Sequence, residues 1–556
     1  MTRKMCVQCN ENFVIGDDEQ EFLKQMAFKV GEQLIDVPLP THCPICRLQR
    51  RLSFRNQIYV SRVRSLNGEM LFSQFIGTPQ FPVITNKAWW DEDGWSPEQY
   101  GQEYDFNRTF FEQWHELSKK VPRPAINGVQ SENSDYCNNA GDLKNCYFVF
   151  DAGNIEDSLY CEGAADSRCC VDCTVIVNCE LCYDCVACTR CYDLQSSLQC
   201  TDCSESFFLK ECKSCKHCFG CVNLRRREYC IFNKQVTKEE YDRFISSLSL
   251  SSYRERQRIH AQVQRFWNSA PQPHLSGSMI ERCTGNHILN AKDVDESFFV
   301  QKSEGLRYCM NISYDAKNCQ DYFCWGEGAE LLYECGVTGG SVFHLAFCWD
   351  CWYGARDLLY CLSCHGSANC FGCISARKKE YMILNKQYSQ HEYEELLPRI
   401  IEHMTKTGEW GEAFPMHLSP VPYNLSLAQR YFPLSEGDCK IKGLRYELLS
   451  DSSVANALEG LQLTDGLPQS DETLTVCSTE SKRHFRITKQ ELQWYRKFNV
   501  PLPRTTYFER MEARAKLLGP VRLLERRCEK SGILIKTVHK DGVVWDREIF
   551  EKEIVS

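Results

Sequence analysis

No stretch of this 556-residue chain approaches twenty consecutive apolar residues, so a membrane-spanning helix is not expected. The opening Met1-Thr2-Arg3-Lys4-Met5-Cys6 lacks the apolar segment and cleavage site of a secretory signal, which points to a cytoplasmic protein. A glycine-rich phosphate loop is missing too. His217 and His365 lie beside cysteines and could complete metal sites, but neither has a nucleophile, base and orienting partner in its sequence surroundings. The sequence therefore leans away from an enzyme and assigns no catalytic residue.

Cysteine is what the chain has in excess, 36 residues in all. In a reducing compartment such a number means metal ligation or thiol packing; a disulfide framework would require an unusual export route. Eighteen of the cysteines fall between Cys137 and Cys230, with three-residue steps inside the runs Cys179 to Cys191 and Cys212 to Cys221. A second array follows, because Cys218-Phe219-Gly220-Cys221, Glu228-Tyr229 and Asn233-Lys234-Gln235 recur as Cys370-Phe371-Gly372-Cys373, Glu380-Tyr381 and Asn385-Lys386-Gln387. Within it Cys309, Cys335 and Cys361 are 26 residues apart, and the first array reads as units of about 22 residues opening at Lys144, Asp166, Cys188 and Lys210. A repeat of 20 to 26 residues without a helical stripe predicts one turn of a parallel β-solenoid, its cysteines stacked in ladders inside. Capping boxes at Thr237-x-x-Glu240 and Ser389-x-x-Glu392 predict helices closing each array.

The sharpest chemical motif is Cys6-x-x-Cys9 with Cys43-x-x-Cys46. Paired knuckles of this spacing place four thiolates around one zinc, a closed structural site. Beyond Cys43, Arg47, Arg50, Arg51 and Arg55 share the face of a predicted helix suited to phosphate or carboxylate. Both arrays are acidic and both chain ends basic, so the basic ends could meet a macromolecular partner, protein or nucleic acid, or the chain's own arrays. The aromatic stretch holding Trp89, Trp90 and the stripe Phe106, Phe110, Phe111, Trp114 and Leu117 reads as core packed on the ribbon or the first coil.

The fold class is mostly β: two cysteine-rich parallel β-solenoid arrays capped by helices, between an N-terminal zinc ribbon and a degenerate C-terminal ribbon. The chain divides into a zinc ribbon with an arginine-rich helix (1–64), an aromatic segment (65–129), the first array (130–235), a helical cap and connector (236–289), the second array (290–388), a cap with a loop (389–449), a polar linker (450–475) and a metal-free ribbon (476–556).

The motif Cys43-Pro44-Ile45-Cys46-Arg47-Leu48-Gln49-Arg50-Arg51, the Trp89-Trp90-Asp91 segment, the two blocks from Cys-Phe-Gly-Cys to Asn-Lys-Gln, and Gly408-Glu409-Trp410-Gly411 resemble a family of uncharacterised cysteine-rich zinc-ribbon proteins of small-genome bacteria. Some members carry a CaiB/BaiF CoA-transferase label, without a supporting motif here. The resemblance implies further C-terminal ribbons with intact cysteine pairs; in this chain Cys477 and Cys528 stand alone, with Glu480, Thr506, Glu509 and Ser531 where cysteine would be expected. Two functions follow: a zinc-binding structural or macromolecule-binding scaffold, or a metal or redox protein whose arrays hold iron-sulfur clusters or thiol-bound metal.

Overall fold

Every third residue of the first array points inward, and this short period organises the chain. The computed structural model describes residues 1–91, 93–326, 328–351, 353–449, 458–459, 463, 465–469 and 471–555. Strands Gly128–Glu132, Asn138–Lys144, Phe150–Glu156, Glu162–Arg168, Thr174–Val177 and Val186–Thr189 pair in parallel in chain order. Each partner lies 12 residues on, as in Ala140 with Ala152 and Ile176 with Cys188. The same offset runs through isolated bridges and a second parallel set ending at Cys218 opposite Cys230.

The backbone explains the spacing. Asn139, Asp142, Asn145, Phe148, Asp151 and Asn154 all have left-handed φ, between 51° and 55°, a conformation that Asn and Asp tolerate better than most residues. The residue after each turns inward, giving the buried Ala140, Leu143, Cys146 and Val149. A twelve-residue rung is thus four sides of three residues, around an interior wide enough only for small side chains.

That interior also explains the preference for thiol and hydroxyl. Several inward residues of the first array donate their N–H to the inward side chain twelve residues back. Ser158 Oγ accepts from Cys170 N–H at 3.1 Å, Ser167 Oγ from Cys179 N–H at 3.0 Å, and Cys137 Sγ from Val149 N–H at 3.4 Å. The thiols in turn donate to carbonyls, Cys161 Sγ reaching Leu159 O at 3.4 Å and Cys170 O at 3.6 Å. An inward amide without an acceptor costs about 1–3 kcal/mol, so Cys and Ser satisfy the backbone as well as filling the space.

The expected β-solenoid with coils of 20 to 26 residues is not what forms. The 22-residue units of the first array have no structural counterpart, and the 26-residue spacing of Cys309, Cys335 and Cys361 spans two rungs of 13, seen in Glu330 opposite Phe343 and Trp349 opposite Leu362. Toward its end the second array returns to 12, with Arg356 opposite Ala368 and Ala368 opposite Glu380. Repeated sequence words obscured the true period because an inward position accepts Cys, Ser, Ala, Leu, Ile or Val alike.

Helices do begin at the two capping boxes. Lys238–Ser247 is capped by Thr237 and Glu240, and Gln390–Thr407 by Ser389 and Glu392. Each follows an antiparallel turn that ends the parallel stack, and the repeated asparagine closes that end: Asn233 Oδ1 accepts from Val222 N–H at 2.9 Å, as Asn385 Oδ1 does from Ile374 N–H at 2.7 Å. Tyr241 in one helix and Tyr393, Leu397 and Ile400 in the other are buried.

The aromatic segment is core: it shares one cluster with Leu23, Met26, Phe28 and Phe54 of the ribbon, as expected, and its stripe also packs on the second array. Phe110 lies 5.0 Å from both Tyr360 and Phe371, and Trp114 lies 4.3 Å from Phe414. The linker expected over 450–475 falls largely outside the described residues, at 450–457, 460–462, 464 and 470.

Candidate metal centre and the arginine helix

The N-terminal ribbon begins as a hairpin, Thr2–Met5 against Asn12–Ile15, whose tip carries Cys6 and Cys9. Asn10 at φ 60° lets the tip reverse, and Asn10 N–H donates to Cys6 O at 2.9 Å. Lys4 Nζ ties the hairpin to the proline turn through Leu39 O at 3.0 Å and Pro40 O at 3.3 Å. The second knuckle opens a helix: Cys43 is the N-cap of Pro44–Leu52, and Cys46 sits in its first turn.

The four sulfurs come together. All lie within 4.8 Å of one another, and Cys9 Sγ and Cys43 Sγ are 3.8 Å apart. A tetrahedron with metal–sulfur bonds of about 2.3 Å has edges of about 3.8 Å, so the donor set fits one tetrahedral ion. Cys6, Cys43 and Cys46 are buried and Cys9 is exposed. Hydrogen bonding from Cys46 pulls the Cys43 thiol down to about 5, and the same bond together with burial pushes Cys46 up. Cys43 is thus the thiol of the four most ready to ionise. Among the described residues it is the one group of three or more Cys, His, Asp or Glu side chains arranged to hold a metal ion. His217 instead faces Glu205 at 3.2 Å and stacks on Tyr229, while His365 lies between Trp89 and Trp90, its basicity lowered by burial.

The arginine face does not look outward. Arg47 pairs with Asp321 at 2.8 Å and Glu19 at 3.2 Å, and Arg51 with Asp321 at 2.9 Å. Arg50 donates to both oxygens of Glu334 at 2.7 Å and to Glu412 at 3.2 Å. Arg55 crosses to the first array, meeting Asp151 at 3.0 Å. Asp321 and Glu334 belong to the second array, and Arg55 lies past the helix's last residue, Leu52, rather than on its face as expected, so the helix holds the second array and the turn after it reaches the first. Buried pairs of this kind cost about 3–5 kcal/mol when one partner is removed.

The basic C-terminal segment is used in the same way. Arg510 and Arg514 each reach Asp172 at 3.0 Å, Tyr160 Oη donates to Glu491 at 2.6 Å, and Lys536 meets Glu296 at 2.7 Å. The segment repeats the hairpin and helix: Leu474–Cys477 pairs with His484–Ile487, and Tyr507–Lys516 starts from Thr506. Where Cys46 stands in the first ribbon, Glu509 stands here. Its carboxylate accepts from Ser478 Oγ at 2.8 Å, Ser481 N–H at 2.8 Å and Thr506 N–H at 2.6 Å. Thr506-x-x-Glu509 is legible in the sequence as a capping box, but its reach back to the knuckle depends on the fold.

Between the arrays lies a cleft of about 500 Å3. One wall repeats every twelve residues, Gly141, Gly153, Ala165 and Val177, and the other presents Gln301 and Ser313, again twelve apart. Gly141, Gly153 and Ala165 leave the first wall without large side chains at those repeats. No family model matches the chain, and no curated protein matches it.

Proposed function

We propose that this is a zinc-stabilised cytoplasmic scaffold. Cys6, Cys9, Cys43 and Cys46 hold one structural zinc, the arrays form two rods with cysteine interiors, and the cleft between the rods receives a macromolecular partner. The observation that carries the reading is the arginine helix: Cys43 at its N-cap and Cys46 in its first turn supply two zinc ligands, Arg47, Arg50 and Arg51 along it hold the second array, and Arg55, just past its last residue, reaches the first. Metal binding at one end of the helix therefore fixes the geometry of the cleft at the other. A reducing compartment suits the chain because a core of close thiols would oxidise elsewhere. The family resemblance to zinc-ribbon proteins agrees with this reading.

The basic ends offer less to nucleic acid than their charge suggests, since Arg47, Arg50, Arg51, Arg55, Arg510 and Arg514 are already paired with the chain's own carboxylates. Among the described residues only the ribbon cysteines bring three or more ligand atoms within 4.8 Å of one another, which favours the zinc reading over an array-bound iron-sulfur cluster.

Metal analysis of protein purified without oxygen, followed by hydrogen exchange with and without a strong chelator, tests the proposal. The expected result is one zinc per chain, with chelation deprotecting residues 41–55 and loosening the contacts at Asp321 and Glu334 while the rungs stay protected. Unchanged exchange across 41–55 after complete zinc removal would overturn it.

A further inference from the structure

The inward positions of the first array fall into four columns, and several are continuous in sulfur. Cys179, Cys191, Cys203 and Cys215 fill one column, Cys188, Cys200 and Cys212 a second, and Cys161, Cys173 and Cys185 a third. In one rung all four walls are thiol: Cys179, Cys182, Cys185 and Cys188, each no more than 2% exposed. The columns are in register, as Ile176 opposite Cys188 and Cys218 opposite Cys230 show.

Register sets the spacing. Parallel rungs stack at about 4.8 Å, and two metal–sulfur bonds of about 2.3 Å laid end to end span about 4.6 Å. No three array sulfurs among the described residues converge as the ribbon's four do, so a tetrahedral ion finds no site here, whereas an ion preferring two sulfurs in a line finds one between successive rungs. Thiolate is also the ligand that selects soft cations.

We propose that the thiol columns of the first array bind soft monovalent d10 cations, copper(I) being the representative, each held in a line between cysteines of neighbouring rungs. On binding, two metal–sulfur bonds form for each cation while one S–H bond breaks: along a column each thiolate bridges two successive cations and the last sulfur keeps its proton, the released protons leave to solvent, the metal stays monovalent and no electron is transferred. One proton lost for each cation gained leaves the dry interior uncharged, which its burial demands. This goes beyond the scaffold reading, in which the thiols only pack and accept hydrogen bonds.

The array supplies its own control. Ser167, Ser197 and Ser206 already occupy inward positions, and Ser197 Oγ makes the same two bonds as a thiol, donating to Gln195 O at 2.9 Å and accepting from Leu209 N–H at 3.0 Å. Serine in place of cysteine therefore keeps the rung and removes the soft donor.

The test uses the full chain handled without oxygen and given copper(I) either during synthesis or after purification, with loosely held metal stripped before copper and zinc are counted in one sample. The proposal expects copper in excess of any zinc lost, in at least one loading. It expects Cys179→Ser/Cys182→Ser/Cys185→Ser/Cys188→Ser to lose part of that copper while keeping its zinc and its far-ultraviolet circular dichroism. Should the fourfold variant fail to fold, Cys191→Ser alone interrupts the longest column and is expected to lower the load, whereas Cys9→Ser in the ribbon leaves array copper unchanged. No copper beyond zinc lost in either loading, or an undiminished load in folded serine variants, overturns the proposal.

Discussion

Replacing Ser158 by alanine tests whether inward hydroxyls and thiols are backbone acceptors or merely small fillers. Ser158 is 0% exposed, and its Oγ accepts from Cys170 N–H at 3.1 Å while donating to Glu156 O at 2.7 Å. Ser158→Ala leaves that amide facing a dry interior with no partner, at a cost of about 1–3 kcal/mol. Because about 1.4 kcal/mol is a factor of ten in an equilibrium constant, exchange of the Cys170 amide should quicken by roughly 5- to 150-fold. Ser158→Cys restores an acceptor of the kind Cys137 provides to Val149 at 3.4 Å, so it should recover most of the protection despite its larger volume. A packing account expects the reverse order, since alanine fits wherever serine does and the sulfur is the intruder. Hydrogen exchange resolved to peptides covering 156–173 is the right assay, because a chain of several packed units will not unfold in one step. Equal protection in Ser158→Ala and the parent protein would refute the reasoning.

Arg50→Ala strands the buried Glu334 carboxylate and should cost about 3–5 kcal/mol, whereas Arg50→Leu with Glu334→Leu should cost much less; hydrogen exchange of peptides covering 44–55 and 330–338, with zinc held constant, decides, and equal losses of protection in the two variants would contradict the buried-pair account. Glu509→Gln should loosen the metal-free ribbon. Burial raises the Glu509 pKa, but hydrogen bonds from Thr506, Ser481 and Ser478 outweigh it and leave the carboxyl below its usual range. A depressed carboxylate contributes stability above its unfolded pKa of about 4.3 and loses it as pH falls through the folded value. Exchange protection across 476–516 should therefore decline as the solution is acidified below that range in the parent protein, and depend less on pH in Glu509→Gln; identical pH profiles would count against the role given to the carboxylate.

What the sequence disclosed was local. Cys6-x-x-Cys9 and Cys43-x-x-Cys46 are each confined to one turn of chain, so spacing alone brings two sulfurs together, and the hairpin and helix between them complete the set. Thr237 and Ser389 are legible as caps for the same reason: box and helix are contiguous. The twelve-residue rung is not local. Its only local trace is the three-residue step inside the cysteine runs, which marks one side of a rung, and the columns emerge only when residues twelve apart are compared without regard to type. The arginines show the same limit. Charge totals foretold that basic ends and acidic arrays could meet, but that Arg50 meets Glu334, 284 residues away, depends on how the second array is stacked.

A third hairpin and helix, Leu524–Arg527 against Leu534–Thr537 followed by Arg547–Val555, joins the two already described, and comparing the three suggests what a metal ion would do in the first and why the others need none. In the second and third, amide N–H groups from the knuckle and from the start of the helix converge on one acceptor, a place that favours an anion. In the first unit sulfur takes the role, the thiols of Cys6, Cys9, Cys43 and Cys46 meeting within 4.8 Å of one another. In the second, Glu509 receives the amides of Ser481 and Thr506. In the third, Cys528 Sγ accepts from Ser531 N–H at 3.4 Å and Asp546 N–H at 3.1 Å, and Glu529 from Val544 N–H at 2.8 Å. Four thiolates at one point repel each other unless a cation lies among them, so the first unit, once ionised, would require a metal ion; one carboxylate or one thiol carries at most a single charge and requires none. With single cysteines, Cys477 and Cys528, the C-terminal units lack both the need for a metal ion and the means to bind one, and their converging amides keep an acceptor without it.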